Sequence, residues 1–102
     1  MPKTKTTKST QKGMLYKVME PKIYNVIMHN DEVTTMDFVV SVLVNIFNKS
    51  EATAESLMMK IHNEGMAVVG SYSLDIAETK AHYAMMAAKD NGFPLRITVE
   101  VA

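Results

Sequence analysis

The chain contains no cysteine. Disulfides, thiolate metal sites and cysteine nucleophiles are therefore excluded, and the composition fits a reducing compartment. No apolar run is long enough to cross a bilayer, and no apolar segment near the start has the form of a secretory signal. Acidic residues are missing from the beginning: Lys3, Lys5, Lys8, Lys12 and Lys17 all come before the first carboxylate, Glu20. The net charge is zero, so the remainder of the chain is acidic. A basic stretch on an acidic domain speaks against nucleic acid as the main partner of the folded part. The same stretch lacks arginine, which a transit peptide would favour. It is rich in Lys, Thr, Ser and Gln, and its few large apolar groups cannot offset the entropy of ordering. Residues 1–20 are thus expected to form a disordered extension, with the folded domain over residues 21–102.

What is present suits a small globular fold. The 102 residues, 47% hydrophobic and 22% charged, are enough for one core and too few for two. Residues 23–29 predict a strand with Tyr24, Val26 and Met28 on one face and Ile23 and Ile27 on the other. Thr34 followed by Asp37 has the spacing of a capped helix start. The helix predicted there carries Phe38, Val39, Val42, Leu43, Ile46 and Phe47. Ser50 caps a second helix, whose stripe is Ala54, Leu57, Met58 and Ile61 and whose end is set by Gly65. Met66, Ala67, Val68 and Val69 predict a short buried strand. Ser73 opens a third helix along Ile76, Ala77, Lys80, Tyr83, Ala84 and Ala87, stopped at Asn91 and Gly92. After Pro94, Leu95, Ile97, Val99 and Val101 alternate with polar residues as a half-exposed strand does. The order β-α-α-β-α-β describes an α+β fold, three helices packed on a small three-stranded sheet.

Two polar clusters far apart in the chain carry the chemistry. Asn30, Asp31 and Glu32 stand where the first strand stops, and His62 stands in the last turn of the second helix. Carboxylates, an amide oxygen and a neutral imidazole are acceptors, and an ammonium group has three donors and no lone pair. Beside Met36, Met58 and Ile61, such a set suits an amine that carries an apolar side chain, as the first residue of another protein does. Each residue also has a plainer reading. Asn and Asp are common turn formers, a histidine is favoured at a helix C-terminus, and methionine fills cores. His29, His62 and His82 show no metal-ligand spacing, and neither a phosphate-binding loop nor a serine nucleophile elbow is present. Asp31, Glu32 and His62 could act as acid and base, but no nucleophile accompanies them.

The segment Asn30-Asp31-Glu32-Val33-Thr34-Thr35-Met36-Asp37-Phe38-Val39, then His62-Asn63-Glu64-Gly65-Met66-Ala67-Val68-Val69-Gly70, then Ala77-Glu78-Thr79-Lys80 resembles the ClpS adaptor family. The likeness runs from about Tyr24 to the end of the chain and includes the spacings between motifs. It implies a cytoplasmic, bacterial-type adaptor of the N-degron pathway with no cofactor and no catalysis of its own. Such adaptors bind proteins that begin with Leu, Phe, Tyr or Trp and pass them to a Clp AAA+ unfoldase coupled to ClpP. By the resemblance, Asn30, Asp31, Glu32 and His62 hold the substrate α-amino group. Thr34, Met36, Val39, Met58, Ile61 and Leu95 line the side-chain pocket, and Asp75 and Lys80 dock on the unfoldase. The family usually has a second aspartate in place of Glu32, a proline in place of Thr35 and an aromatic residue in place of Val33. The element order is also similar to the C-terminal domain of the ribosomal L7/L12 stalk, a factor-binding module, but fold analogy alone says little about a site.

Overall fold

The first strand of the chain is the middle strand of its sheet. The computed structural model describes residues 22–102, and the extension expected over residues 1–20 lies outside them. β1 (Tyr24–His29) pairs antiparallel with β2 (Met66–Tyr72) on one side and β3 (Arg96–Val101) on the other, giving the order β2-β1-β3. Val26 and Met28 are fully buried, as the alternation predicts. The helices are α1 (Met36–Asn45), α2 (Glu51–Glu64) and α3 (Leu74–Asp90), so the predicted order and fold class hold. α1 packs on α2, α2 on β2, and α3 lies across all three strands.

Three local features differ from expectation. Thr35, not Thr34, caps α1, accepting a hydrogen bond from the Phe38 amide at 3.2 Å. The Thr34 hydroxyl is engaged elsewhere, donating to Asp31 Oδ2 at 2.7 Å. α1 ends at Asn45 rather than continuing through Phe47, although Phe47 is still buried in the core. As expected, the chain breaks at Asn48, which takes a left-handed conformation, φ 58°, and Ser50 caps α2 by accepting from the Thr53 amide.

β2 is longer than the four residues expected and is half-exposed. Ala67 and Val69 are buried, whereas Met66 and Val68 lie on the open side of this edge strand. A bulge lets Val26 pair with Gly70 and Ile27 with Val68, leaving Val69 as the extra residue. α3 buries Ala77, Ala81, Ala84 and Ala88, while Ile76 and Tyr83 stay exposed. Four alanines one turn apart let the helix lie close to the sheet. Of the residues read along this helix from the sequence, Ala77 and Ala84 belong to the buried stripe, which continues through Ala81 and Ala88.

α1 has no basic residue in its own last turn, and α3 supplies one. Lys80 Nζ donates to the Ile46 carbonyl at 2.6 Å and sits 5.4 Å from the centre of the Tyr72 ring. A cation at a helix C-terminus satisfies a carbonyl left open there and complements the dipole. Lys80→Met keeps the aliphatic stem and removes the donor. Urea unfolding should show a loss of about 1–2 kcal/mol. A loss under ~0.3 kcal/mol would mean that the bond adds nothing to stability.

Candidate functional site

β1 runs into a loop that has to turn before α1 can begin, and that turn is built around one carboxylate. Asp31 Oδ1 accepts from the Val33 amide at 2.8 Å and from the Thr34 amide at 2.7 Å, while Oδ2 takes the Thr34 hydroxyl. Burial pushes the Asp31 carboxyl up, but the Thr34 amide, the Thr34 hydroxyl and the Val33 amide outweigh it and hold the group below its ordinary value. Three of its roughly four lone-pair positions are thereby used inside the loop. Asp31 shapes the turn from within.

The second cluster is brought to this loop by the end of α2. Gly65 closes that helix in the left-handed region, φ 90°, and its amide donates to the Ile61 carbonyl at 2.9 Å. The Gly65 carbonyl then accepts from the Asn30 amide at 2.9 Å, and His29 pairs with Met66 in the sheet. These contacts bring the last turn of α2, with His62, against the loop that carries Asn30 and Glu32.

A cleft of about 580 Å³ opens where they meet, within the size range of small-ligand sites. Asn30, Asp31, Glu32 and His62 line it together with Thr34, Met36, Val39, Met58 and Ile61. Asn30, Glu32 and His62 are solvent-exposed, so their acceptors are open to a ligand. Val39 and Ile61 are buried, and Met36, 43% exposed, stands at the rim. Nine of the ten residues expected at the amine site and the pocket therefore lie around one cleft.

Leu95 is the exception. It is buried in the hydrophobic core, just before β3, and does not line the cleft. Val33 and Thr35 do line it, although the sequence pattern assigned them no contact. Their position inside the same short loop was the available signal. Asp75 and Lys80 lie on a different surface, a depression of about 520 Å³ that also includes Ile46, Ile76, Thr79 and Tyr83. Of the other histidines, His29 is tied into the sheet, its Nε2 2.9 Å from Thr98 Oγ1. Burial, then the Arg96 charge, keep His29 below the ordinary imidazole value against the pull of Glu100. His82 stands on α3 next to Tyr83. Among the described residues no group of His, Asp and Glu is arranged to hold a metal ion, and no helix is long and apolar enough to cross a membrane.

Known proteins share both the sequence and the fold. Residues 19–98 match the family model described as ATP-dependent Clp protease adaptor protein ClpS. The Clp protease adapter protein ClpS of Treponema denticola is 53% identical over 95 residues, covering 91% of this chain and 94% of its own length. That of Campylobacter jejuni is 45% identical over 100 residues and covers 98% of each chain. Among solved structures, Agrobacterium tumefaciens ClpS2 bound to L-phenylalaninamide superposes with a TM-score of 0.78 at 45% identity. That match covers 80% of this chain and 99% of the other. The family is one of adaptors rather than of enzymes. With its model matched over most of the chain and its fold shared by a solved ClpS2 structure at 45% identity, this protein belongs to the ClpS family of Clp protease adaptors.

Proposed function

We infer that this protein is an adaptor that captures proteins by an N-terminal Leu, Phe, Tyr or Trp and delivers them to a Clp AAA+ unfoldase working with ClpP. The observation that carries the reading is the cleft, where open acceptors on Asn30, Glu32 and His62 share one space with the apolar side chains of Met36, Val39, Met58 and Ile61. L-phenylalaninamide, the ligand of the Agrobacterium protein, has a free amino group, an aromatic side chain and an amide like that of a first peptide bond. Asn30, Glu32 and His62 accept hydrogen bonds from the substrate ammonium, and the apolar side chains, with Thr34, surround its first side chain. Internal residues lack the ammonium, so the acceptors select a chain terminus. Two methionines let one pocket fit side chains of different shape, because the thioether chain turns about several soft torsions.

The protein acts in the cytoplasm and binds its substrate without cleaving it. Asp31 keeps its place in the site, as the group that sets the loop rather than a direct partner of the amine. The surface around Asp75 and Lys80 docks on the unfoldase. Lys80 spends one of its three donors on Ile46, which leaves two for a partner carboxylate.

Three outcomes test this reading. Acetylating a Leu-initiated peptide removes its charge and leaves the acceptors unpaired. Loss of one partner of a charged contact that is buried in the complex costs on the order of 2–5 kcal/mol, so fluorescence anisotropy should show binding reduced well over tenfold. Equal binding of the free and acetylated peptides would refute amine recognition.

Met36 at the rim should exclude Val and Ile, whose branch lies close to the backbone. Met36→Ala should narrow the preference for Leu over Ile, a difference worth roughly 1–3 kcal/mol in the intact protein. If instead all affinities fall together, Met36 only fills space.

Asp31→Ala removes three hydrogen bonds from the loop and should weaken Leu and Phe peptides alike. Because the folded-state pKa of Asp31 is depressed, its contribution is complete above the ordinary carboxylate value of about 3.9 and is lost only as pH falls through the lower folded value. A titration from pH 8 to pH 5 should therefore leave the Asp31 part of binding intact.

A further inference from the structure

Met36 stands both in the binding site and within reach of a small oxidant. It lines the cleft and is 43% exposed. Met58, the other methionine of the cleft, is partly buried, and Met28 is fully buried in the core. Met59, Met66, Met85 and Met86 are exposed but line no part of the cleft. Among the described residues, Met36 alone joins an exposed thioether to a place in the site. The hydrogen bonds that build the loop and cap α1 run through Asp31, Thr34 and Thr35 and do not involve the Met36 side chain. A change confined to its sulfur therefore alters the pocket and leaves the turn in place.

We propose that Met36 is a modification site, where reversible oxidation to the sulfoxide closes the cleft to apolar N-terminal residues. The proposal rests on the N-terminal-residue reading and adds a control to that same site. Hydrogen peroxide supplies the oxygen. The sulfur lone pair attacks one peroxide oxygen and the O–O bond breaks. The departing hydroxide takes the proton left on the transferred oxygen and leaves as water. Sulfur is oxidised by two electrons, and peroxide is reduced by the same two. A flexible apolar group thus becomes a polar one. While the cleft is empty, water can hydrate the new oxygen. A Leu or Phe side chain displaces that water, and Val39, Met58 and Ile61 have no donor to replace it. Filling the cleft then strands a polar atom in apolar surroundings, which weakens binding. Methionine sulfoxide reductases, supplied with a dithiol, return the thioether and release the oxygen as water, so the block is reversible.

The full chain is treated with hydrogen peroxide, the excess is removed with catalase, and a labelled Leu-initiated peptide is added. Once peptide mapping by mass spectrometry shows Met36 fully oxidised, affinity should have fallen about tenfold or more, with the circular dichroism unchanged. Sulfoxide reductases A and B with a dithiol should restore it. A Met59→Leu/Met66→Leu/Met85→Leu/Met86→Leu protein should show the same fall as the parent. A Met36→Leu protein, whatever its own starting affinity, should bind after peroxide as it did before. Saturating Leu peptide should slow oxidation of Met36 and leave that of Met85 and Met86 unchanged. Unaltered affinity with Met36 fully oxidised, or an equal fall in the Met36→Leu protein, would overturn the proposal, the second result placing the effect at another methionine. An acetylated Leu peptide keeps the two levels apart. If it binds the untreated protein as well as the free peptide does, amine recognition itself has failed. If only the free peptide binds, and oxidation of Met36 does not weaken it, the switch alone is wrong.

Discussion

The site depends on one main-chain hydrogen bond, from the Asn30 amide to the Gly65 carbonyl. It joins the end of β1 to the end of α2 and so brings two halves of a binding site together from distant parts of the chain. Its geometry needs Gly65 at φ 90°, a conformation that costs little only without a Cβ. The first pair of the β1–β2 ladder, His29 with Met66, is set directly beside it. Loop, helix end and edge strand are therefore tied together by main-chain bonds.

Around that bond the roles of similar side chains separate. Asp31 and Glu32 are adjacent carboxylates, yet Asp31 is filled by donors of its own loop while Glu32 is exposed at the cleft. Thr34 and Thr35 divide in the same way. One hydroxyl closes the loop on Asp31, and the other caps α1. A loop held by its own groups is set before any ligand arrives, so less ordering entropy is lost on binding.

α1 also links the two surfaces assigned to the adaptor. Met36, its first residue, stands at the rim of the cleft, and Ile46, just past its end, receives Lys80 from α3. Lys80 is thus both part of the fold and part of a surface. If Lys80 docks as proposed, a change there alters stability as well as docking, and the two effects have to be measured separately.

The sequence by itself determined the element order, the fold class, most residues of the cleft and the family. Period-two and period-3.6 patterns report which faces are buried, and Ser50, Gly65 and Gly92 mark helix limits by local backbone chemistry that needs no partner. It did not determine the features that depend on competition between elements. The cap moved from Thr34 to Thr35 because Asp31 claimed the first hydroxyl, a contact across the loop. The buried stripe of α3 ran along alanines because closeness to the sheet, rather than hydrophobicity, chose the face. Leu95 went to the core and Asp31 into its own turn because the space and the donors around them existed only after the chain had folded. Residue type limits what a side chain can do, and only the tertiary structure decides which neighbour it does it with.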